Sequence, residues 1–308
     1  MPRTIPGASS SRYDALNSSP GRGMETRDIF FENEGIALAG WLARPAGEGP
    51  HPLVVLVHGL SGIVDMDLAE YAGRFVAAGF ACLAYDHRNW GRSAGWPRGE
   101  TDPWRQLADL REAISFARTL PGIDAERIGL WGTSYAGGLV LVAAALDRRV
   151  RCVVSQVPLV SGTRTFEAWV PAARRAAFRG KLDADRDARR RGEPPATTAA
   201  ATTGSETAEW IARKDVMTRY RNELTLRTFD LLRTWEPASF VAAIAPTPLL
   251  MIVAANDATT PTAWQHEAFA AAGEPKRLVE IDCRHYDVYM DRIDEAAAAA
   301  RGWFAVHL

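Results

Sequence analysis

Cysteine, net charge and long apolar runs are all scarce in this sequence. Its three cysteines, Cys82, Cys152 and Cys283, are widely spaced and lie in apolar stretches, so we expect buried thiols rather than disulfides or metal ligands. The net charge of −1 gives no electrostatic signature of nucleic-acid binding or of an anionic membrane partner. No stretch reaches the ~18 apolar residues of a membrane span. We therefore expect a cytoplasmic protein with no nucleic-acid or membrane partner.

Cofactor motifs and targeting signals are equally scarce. The sequence contains no P-loop, no dinucleotide-binding motif and no clustered metal ligands, so we expect neither a cofactor nor a metal. Residues 1–23 are rich in Ser, Pro, Gly and Arg and lack the apolar core of a signal peptide, which indicates a disordered N-terminal tail. With 47% hydrophobic residues, the 308-residue chain can bury a sizeable core.

What the chain does contain is an alternation of apolar strands and amphipathic helices. Residues 28–32 and 36–44 flank a turn and predict an antiparallel pair. Further strands are expected at 53–57, 81–85, 127–131, 150–156, 248–254 and 276–282, separated by predicted helices. Nearly continuous apolar strands imply a sheet that is covered on both faces. The sequence thus predicts an α/β protein with a doubly wound, mostly parallel, eight-stranded sheet.

The alternation breaks between residues 158 and 243. This stretch has a basic, helical first part (166–191), a part rich in Pro, Thr and Ala (193–203) and a second helical part (205–232). An insertion of this length between two strands usually covers a functional site. We expect a helical cap at 158–243, with the core formed by 24–157 and 244–308.

One serine stands where a strand is expected to turn sharply into a helix. Ser134 follows the apolar run 127–131 and is flanked at two residues' distance by Gly132 and Ala136. The crowded turn that lifts a nucleophilic serine clear of the sheet requires such small neighbours. Ala136 departs from the more usual glycine, so the motif alone is moderately specific, and a buried structural serine is the alternative.

Partners for this serine are expected on loops that follow two later strands. Asp257 comes directly after the apolar run 248–255, and His285 follows 278–283. His285 would act as the general base and acid, and Asp257 would orient its imidazole. Alone, Asp257 could be a helix N-cap and His285 a surface histidine, but the order Ser, Asp, His after strand ends favours a triad. Asp282 and Asp287 are weaker candidates for the acid.

Acyl transfer also needs donors for the oxyanion of its tetrahedral intermediate. We expect the backbone N–H groups of Tyr135, at the start of the helix, and of Leu60, in the loop after the third strand. Gly59 gives that loop the necessary backbone freedom. For His58 we expect an orienting hydrogen bond rather than a catalytic role.

These residues as a set resemble the α/β-hydrolase family, from about residue 28 to the end of the chain. Further similarity, in 85–93, 97–100, 102–104, 155–158 and 246–251, is to the branch that contains dienelactone-hydrolase-like proteins and acyltransferases encoded beside polyketide synthases. The resemblance implies Ser-Asp-His chemistry without a metal. It leaves the acyl group and its acceptor open.

Several residues around the expected site could contact substrate or partners. Trp90 and Trp169 could line an acyl pocket, although plain packing is the usual role of a tryptophan. Charged residues at 86–92 are expected to brace loops. A basic cluster at 174–191 suggests a solvated helix face, or alternatively docking of an acyl-carrier protein. A homodimer is also compatible with an apolar cap surface.

We therefore expect a serine hydrolase that cleaves an ester or thioester, a small-molecule acyl substrate, through an acyl-enzyme. Acyl transfer to an alcohol, with a group that could be polyketide-derived, uses the same first half-reaction. Carbon-carbon bond hydrolysis could use the same residues, and a non-catalytic binding scaffold is the alternative from another class.

Overall fold

The computed structural model describes residues 24–213 and 220–308, so the expected tail at 1–23 lies outside the described residues. Its main sheet has eight strands in the spatial order β1-β2-β4-β3-β5-β6-β9-β10. Strands β1 to β6 are Met24–Asn33, Ile36–Pro45, His51–Val57, Ala81–Tyr85, Ile123–Thr133 and Val150–Gln156; β9 and β10 are Leu249–Ala254 and Lys276–Ile281. Only β2 pairs antiparallel with its neighbours β1 and β4. The predicted doubly wound, mostly parallel sheet is confirmed.

Helices cover the two faces of this sheet. They are α1 (Leu68–Val76), α2 (Pro103–Arg118), α3 (Tyr135–Leu146), α8 (Thr262–Ala271) and α9 (Ile293–His307). Two buried apolar clusters result, one between the sheet and α2, α3 and α8, and the other between the sheet and α1 and α9. Central strands are buried along almost their whole length, because both of their faces pack against helices. The carboxyl ends of β3, β5, β6 and β9 meet at one edge.

The insertion, defined as residues 158–243, departs from its sequence-based prediction in detail. The expected helix at 166–191 is two helices, α4 (Gly162–Trp169) and α5 (Ala172–Arg190), because Pro171 cannot continue a helix. The expected helix at 205–232 is also divided, into α6 (Glu206–Arg213) and α7 (Leu226–Leu232). Between them, Leu224–Thr225 (β8) pairs with Thr197–Thr198 (β7). A 3-10 helix, Pro237–Ala243, leads back to the sheet.

Candidate active site

Ser134 sits in a strained turn between β5 and α3. Its backbone has φ 55° and ψ −122°, a conformation that an L-residue adopts only when the surroundings enforce it. The turn is tied to the sheet because the Ser134 N–H donates to Gln156 O at 2.9 Å. A side chain at Gly132 would collide with the carbonyl oxygen of Ala136, which explains the glycine there. Ala136 itself is fully buried in the core, so its methyl group is accommodated.

Ser134, His285 and Asp257 form one chain of hydrogen bonds. Ser134 Oγ lies 3.1 Å from His285 Nε2, and His285 Nδ1 lies 2.7 Å from Asp257 Oδ2. Both the imidazole and the carboxylate are fully shielded from solvent. The three residues come from loops after β5, β9 and β10, whose ends share one edge of the sheet. The sequence placed these residues at strand ends, and the structure brings them together.

The Asp257 carboxylate is held by its own loop. Oδ1 accepts from the backbone N–H groups of Thr259 at 2.9 Å and Thr260 at 2.8 Å. The Thr260 hydroxyl lies 2.9 Å from Asp257 Oδ2 and 3.2 Å from His285 Nδ1, and Gln265 Nε2 donates to Asp257 Oδ2 at 3.2 Å. Thr260 and Gln265 were not predicted from the sequence. Their position three and eight residues after the expected acid was the available signal.

The loop after β3 closes the other side of Ser134. A Cβ on Gly59 would lie 3.3 Å from the Cβ of Ser134, a tight contact that favours glycine where the loop approaches the serine. Leu60 follows directly and lines the same cavity as Ser134. Tyr135 is the first residue of α3, where backbone N–H groups point out of the helix end and attract negative charge. The two expected oxyanion donors thus flank Ser134.

The imidazole of His58 is held by two hydrogen bonds to backbone groups. Its Nδ1–H donates to Gly59 O at 3.0 Å, and its Nε2 accepts from the backbone N–H of His87 at 3.2 Å. Burial lowers the pKa of His58 from 6.5 to about 4, so the neutral ring that these two bonds require is retained at neutral pH. The expected orienting role is confirmed by these bonds.

Comparisons with known proteins identify the family and the fold. Residues 34–287 match the family model described as X-Pro dipeptidyl-peptidase (S15 family). The chain belongs to the S15 family of α/β-hydrolases. The thiohydrolase aneE of Aspergillus aculeatus is 32% identical over 274 residues, which cover 83% of this chain and 85% of that protein. The quorum-quenching protein AidA of Acinetobacter baumannii is 42% identical over 144 residues, 47% of each chain.

A solved structure extends the similarity of this α/β-hydrolase to the whole fold. The crystal structure of the α/β-hydrolase GrgF from Penicillium sp. sh18 superposes with a TM-score of 0.83 at 26% identity, covering 92% of this chain and 99% of that chain. A hydrolase-type enzyme is therefore supported by sequence and by fold.

Charged residues of the loop after β4 brace this α/β-hydrolase, as expected. Asp86 accepts from the backbone N–H groups of Val64 at 2.9 Å and Arg92 at 2.7 Å. Arg88 forms a bidentate pair with the buried Asp109 of α2, and this hydrogen-bonded carboxylate raises the pKa of the guanidinium. The loop is thereby fixed against both the β3 loop and α2.

Trp90 is a packing residue of the same loop. It is 5% exposed, and its indole N–H donates to Glu100 O at 3.1 Å. It borders a cavity together with Arg98 and Tyr220, and Ser134 is not part of that cavity within the described residues. The expectation that Trp90 contacts substrate is therefore not supported by its position.

Two chambers of the α/β-hydrolase meet at Ser134. The small chamber, about 50 Å³, lies between the β3 loop, α6 and the His285 loop, and it is walled by residues that include Ile63, Met66, Trp210 and His285. The large chamber, about 670 Å³, lies between the core and the insertion, and its walls include Trp169, Arg174, Phe178 and Phe229. Trp169 is therefore at the site, where we expected it, and Trp90 is not.

Some arginines of the basic cluster at 174–191 form ion pairs. Arg186 pairs with Asp183 and Asp230, and Arg189 pairs with Asp185. These aspartates reduce the net positive charge of the helix surface, as expected for a face that is in contact with solvent. Docking of an acyl-carrier protein stays a prediction.

Within residues 24–213 and 220–308, no cluster of three or more His, Cys, Asp or Glu side chains is arranged to hold a metal ion. None of the helices in these ranges combines the length and apolar character that a bilayer span requires. The three cysteines are buried and unpaired, and burial raises their thiol pKa values, that of Cys283 to about 12.

Proposed function

We propose that this α/β-hydrolase is a serine hydrolase that cleaves an ester or thioester through an acyl-enzyme on Ser134. The observation that carries the proposal is the buried hydrogen-bond chain from Ser134 Oγ through His285 to Asp257. It provides a nucleophile, a base within reach of its proton, and a carboxylate that orients the base.

In the first half-reaction, His285 Nε2 takes the proton of Ser134 as Oγ attacks the carbonyl carbon. The resulting oxyanion would be stabilised by the backbone N–H groups of Leu60 and Tyr135. Asp257 keeps the Nδ1 proton of His285 in place, so that Nε2 is free to accept. His285 then gives its proton to the leaving oxygen or sulfur, and the bond between it and the acyl carbon breaks.

In the second half-reaction, His285 takes a proton from water as the water oxygen attacks the acyl carbon. The bond to Ser134 Oγ breaks, that oxygen regains a proton, and the acid leaves. Relatives support this type of chemistry, since aneE is named a thiohydrolase.

Acyl transfer is the second candidate. The curated protein grgF of Penicillium sp., 29% identical over 260 residues, is named a polyketide transferase, and a solved GrgF structure shares the fold. In transfer an alcohol replaces water in the second half-reaction, and no other step changes.

The test is labelling with a fluorophosphonate, combined with turnover of methyl esters and methyl thioesters from acetyl to dodecanoyl, with and without added alcohol. An X-Pro dipeptide amide tests the activity named in the family model. Ser134→Ala should not be labelled, and its kcat should be at least about 10⁴-fold lower than that of wild type, because the attacking oxygen is gone.

Ser115→Ala is the matched control, since Ser115 lies on α2 and its hydroxyl bonds Arg111 O. It should keep both the label and wild-type turnover. Equal turnover by Ser134→Ala and wild type would disprove the proposed mechanism.

A further inference from the structure

The two chambers at Ser134 differ greatly in size and in their relation to His285. Leu60, Ser134, Thr207 and Tyr286 line both, so the reacting carbonyl would sit where they join. His285 lines the small chamber, and among the described residues it is not part of the large chamber's wall. A substrate bound at Ser134 can therefore send its two arms into two unlike spaces.

The position of His285 decides which arm enters which chamber. The leaving atom must come within hydrogen-bond reach of His285 Nε2, because that nitrogen returns the proton. Since His285 borders the small chamber, the leaving group starts on that side. The acyl chain then extends toward the large chamber, away from the imidazole.

The volume of the small chamber limits the leaving group. A cavity of about 150 Å³ holds one benzene molecule, and the small chamber has about a third of that volume. It has room for roughly one or two carbon atoms beyond the leaving atom. Its walls include the apolar side chains of Ile63, Met66 and Leu68, together with Trp210 of α6. A short apolar alcohol or thiol matches this space, whereas a long polar arm does not.

We propose that this hydrolase acts on esters or thioesters with a long acyl chain and a short leaving group, which enters the small chamber. The inference rests on the proposed function, because it requires attack by Ser134 and proton return by His285. The same chamber would admit the acceptor in the second half-reaction. Water or a one- or two-carbon alcohol would give its proton to His285 and form the new bond to the acyl carbon. His285 would then return that proton to Ser134 Oγ as the bond between Oγ and the acyl carbon breaks.

The experiment measures kcat/KM for dodecanoate esters of methanol, ethanol, propanol, butanol and hexanol. We expect a fall of about tenfold or more between the ethyl and butyl esters, because methylenes that exceed a packed cavity are costly. We call this fall the break in the alcohol series. Among ethyl esters with acyl chains from butanoyl to dodecanoyl, kcat/KM should show no such break. A flat profile, or one that rises with alcohol length, would overturn the inference.

Two variants test whether the small chamber sets the break. Met66→Ala enlarges it and should move the break toward longer alcohols, and Ile63→Ala gives an independent enlargement if the first variant does not fold. Folding is checked by far-UV circular dichroism and melting temperature. Phe178→Ala, in the large chamber, is the matched control, and it should alter the acyl-length profile while the break in the alcohol series stays in place. A break that moved equally in all three variants would also contradict the assignment.

Failure of this inference and failure of the proposed function give different results. If Ser134→Ala turned over these esters like wild type, the proposed function would fail. If Ser134 proved essential and the wild-type alcohol profile were flat, only the assignment of the small chamber would fail.

Discussion

The two sides of the site are built by different means. On the core side, Ser134, His285 and Asp257 are fixed by short hydrogen bonds among buried groups, down to the backbone N–H donors of the Asp257 loop. On the insertion side, the walls of the large chamber combine small and polar side chains, such as those of Ala199 and Thr202, with aromatic ones. Phe178 and Phe229, for example, pack edge to face with 5.1 Å between ring centroids.

Individual polar contacts join the insertion to the core around the site, and one of them, from the Leu159 N–H to Ser134 O at 2.9 Å, reaches the backbone of Ser134. The Trp169 indole N–H donates to Thr259 O at 3.0 Å, and the hydroxyls of Thr207 and Tyr286 lie 2.6 Å apart. Buried polar networks fix one geometry, whereas apolar contacts adapt to shape. We infer that the core determines the reaction and that the insertion determines which acyl chain is accepted.

The largest effect that can test this division is expected for Asp257→Asn. An amide at this position cannot hold the Nδ1 proton of His285 as a carboxylate does, so Nε2 would no longer be ready to accept the proton of Ser134. We expect kcat to fall by about 10⁴-fold with little change in KM. Steady-state kinetics on a methyl ester measure both.

Asp282→Asn is the control, because Asp282 follows directly after β10 but is exposed. Its carboxylate accepts a hydrogen bond from the Asn256 side chain at 3.0 Å. A comparable loss in Asp282→Asn, or wild-type kcat in Asp257→Asn, would count against the assignment of the acid.

The second prediction concerns the stability of the core side at low pH. Burial lowers the pKa of His58 from 6.5 to about 4, so between these values the unfolded chain binds a proton that the folded chain does not. The free energy of unfolding should therefore be at its full value above pH 6.5 and fall by up to about 3 kcal/mol as the pH falls toward 4. Burial also lowers the pKa of His87, which acts in the same direction.

Urea denaturation across this pH range measures the dependence. His58→Gln should make it shallower, and the titration of His87 should account for part of the dependence that is left. An equally steep dependence in His58→Gln would show that other groups cause it.

The sequence predicted the core side well because its signals are local. Apolar runs mark the buried strands, and residues directly after them must lie at one edge of a parallel sheet, which is why Ser134, Asp257 and His285 could be found. The bond of Thr260 to the Asp257 carboxylate depends on the exact turn of one loop, and no periodic pattern encodes it. Trp90 shows the same limit, since a loop tryptophan gives no sign of which way it points.

The insertion was predicted poorly because its structure depends on contacts between distant residues. Asn222 exchanges two hydrogen bonds with the backbone of Ala201, at 2.7 and 2.8 Å. The short β7–β8 pair lies beside this contact, and its strand β8 replaces part of an expected helix. Helical propensity alone favoured a continuous helix there, and tertiary pairing prevailed. Of these features, only the helix break at Pro171 could have been predicted from the local sequence.

The smallest effect is expected on the insertion side, for Trp169→Phe. This change keeps an aromatic wall in the large chamber and removes the hydrogen bond to Thr259 O, the neighbour of Thr260. A neutral hydrogen bond contributes about 1 kcal/mol, so KM for a dodecanoate ester should rise less than about tenfold. We expect kcat to stay within about twofold, because no reacting atom is touched.

Trp96→Phe, at a tryptophan that is 72% exposed, controls for loss of an indole in general and should match wild type. Equal falls in kcat and kcat/KM for Trp169→Phe would mean that the insertion holds the Asp257 loop in its reactive geometry. The division between a core that performs the reaction and an insertion that selects the acyl chain would then be wrong at one of the contacts that join them.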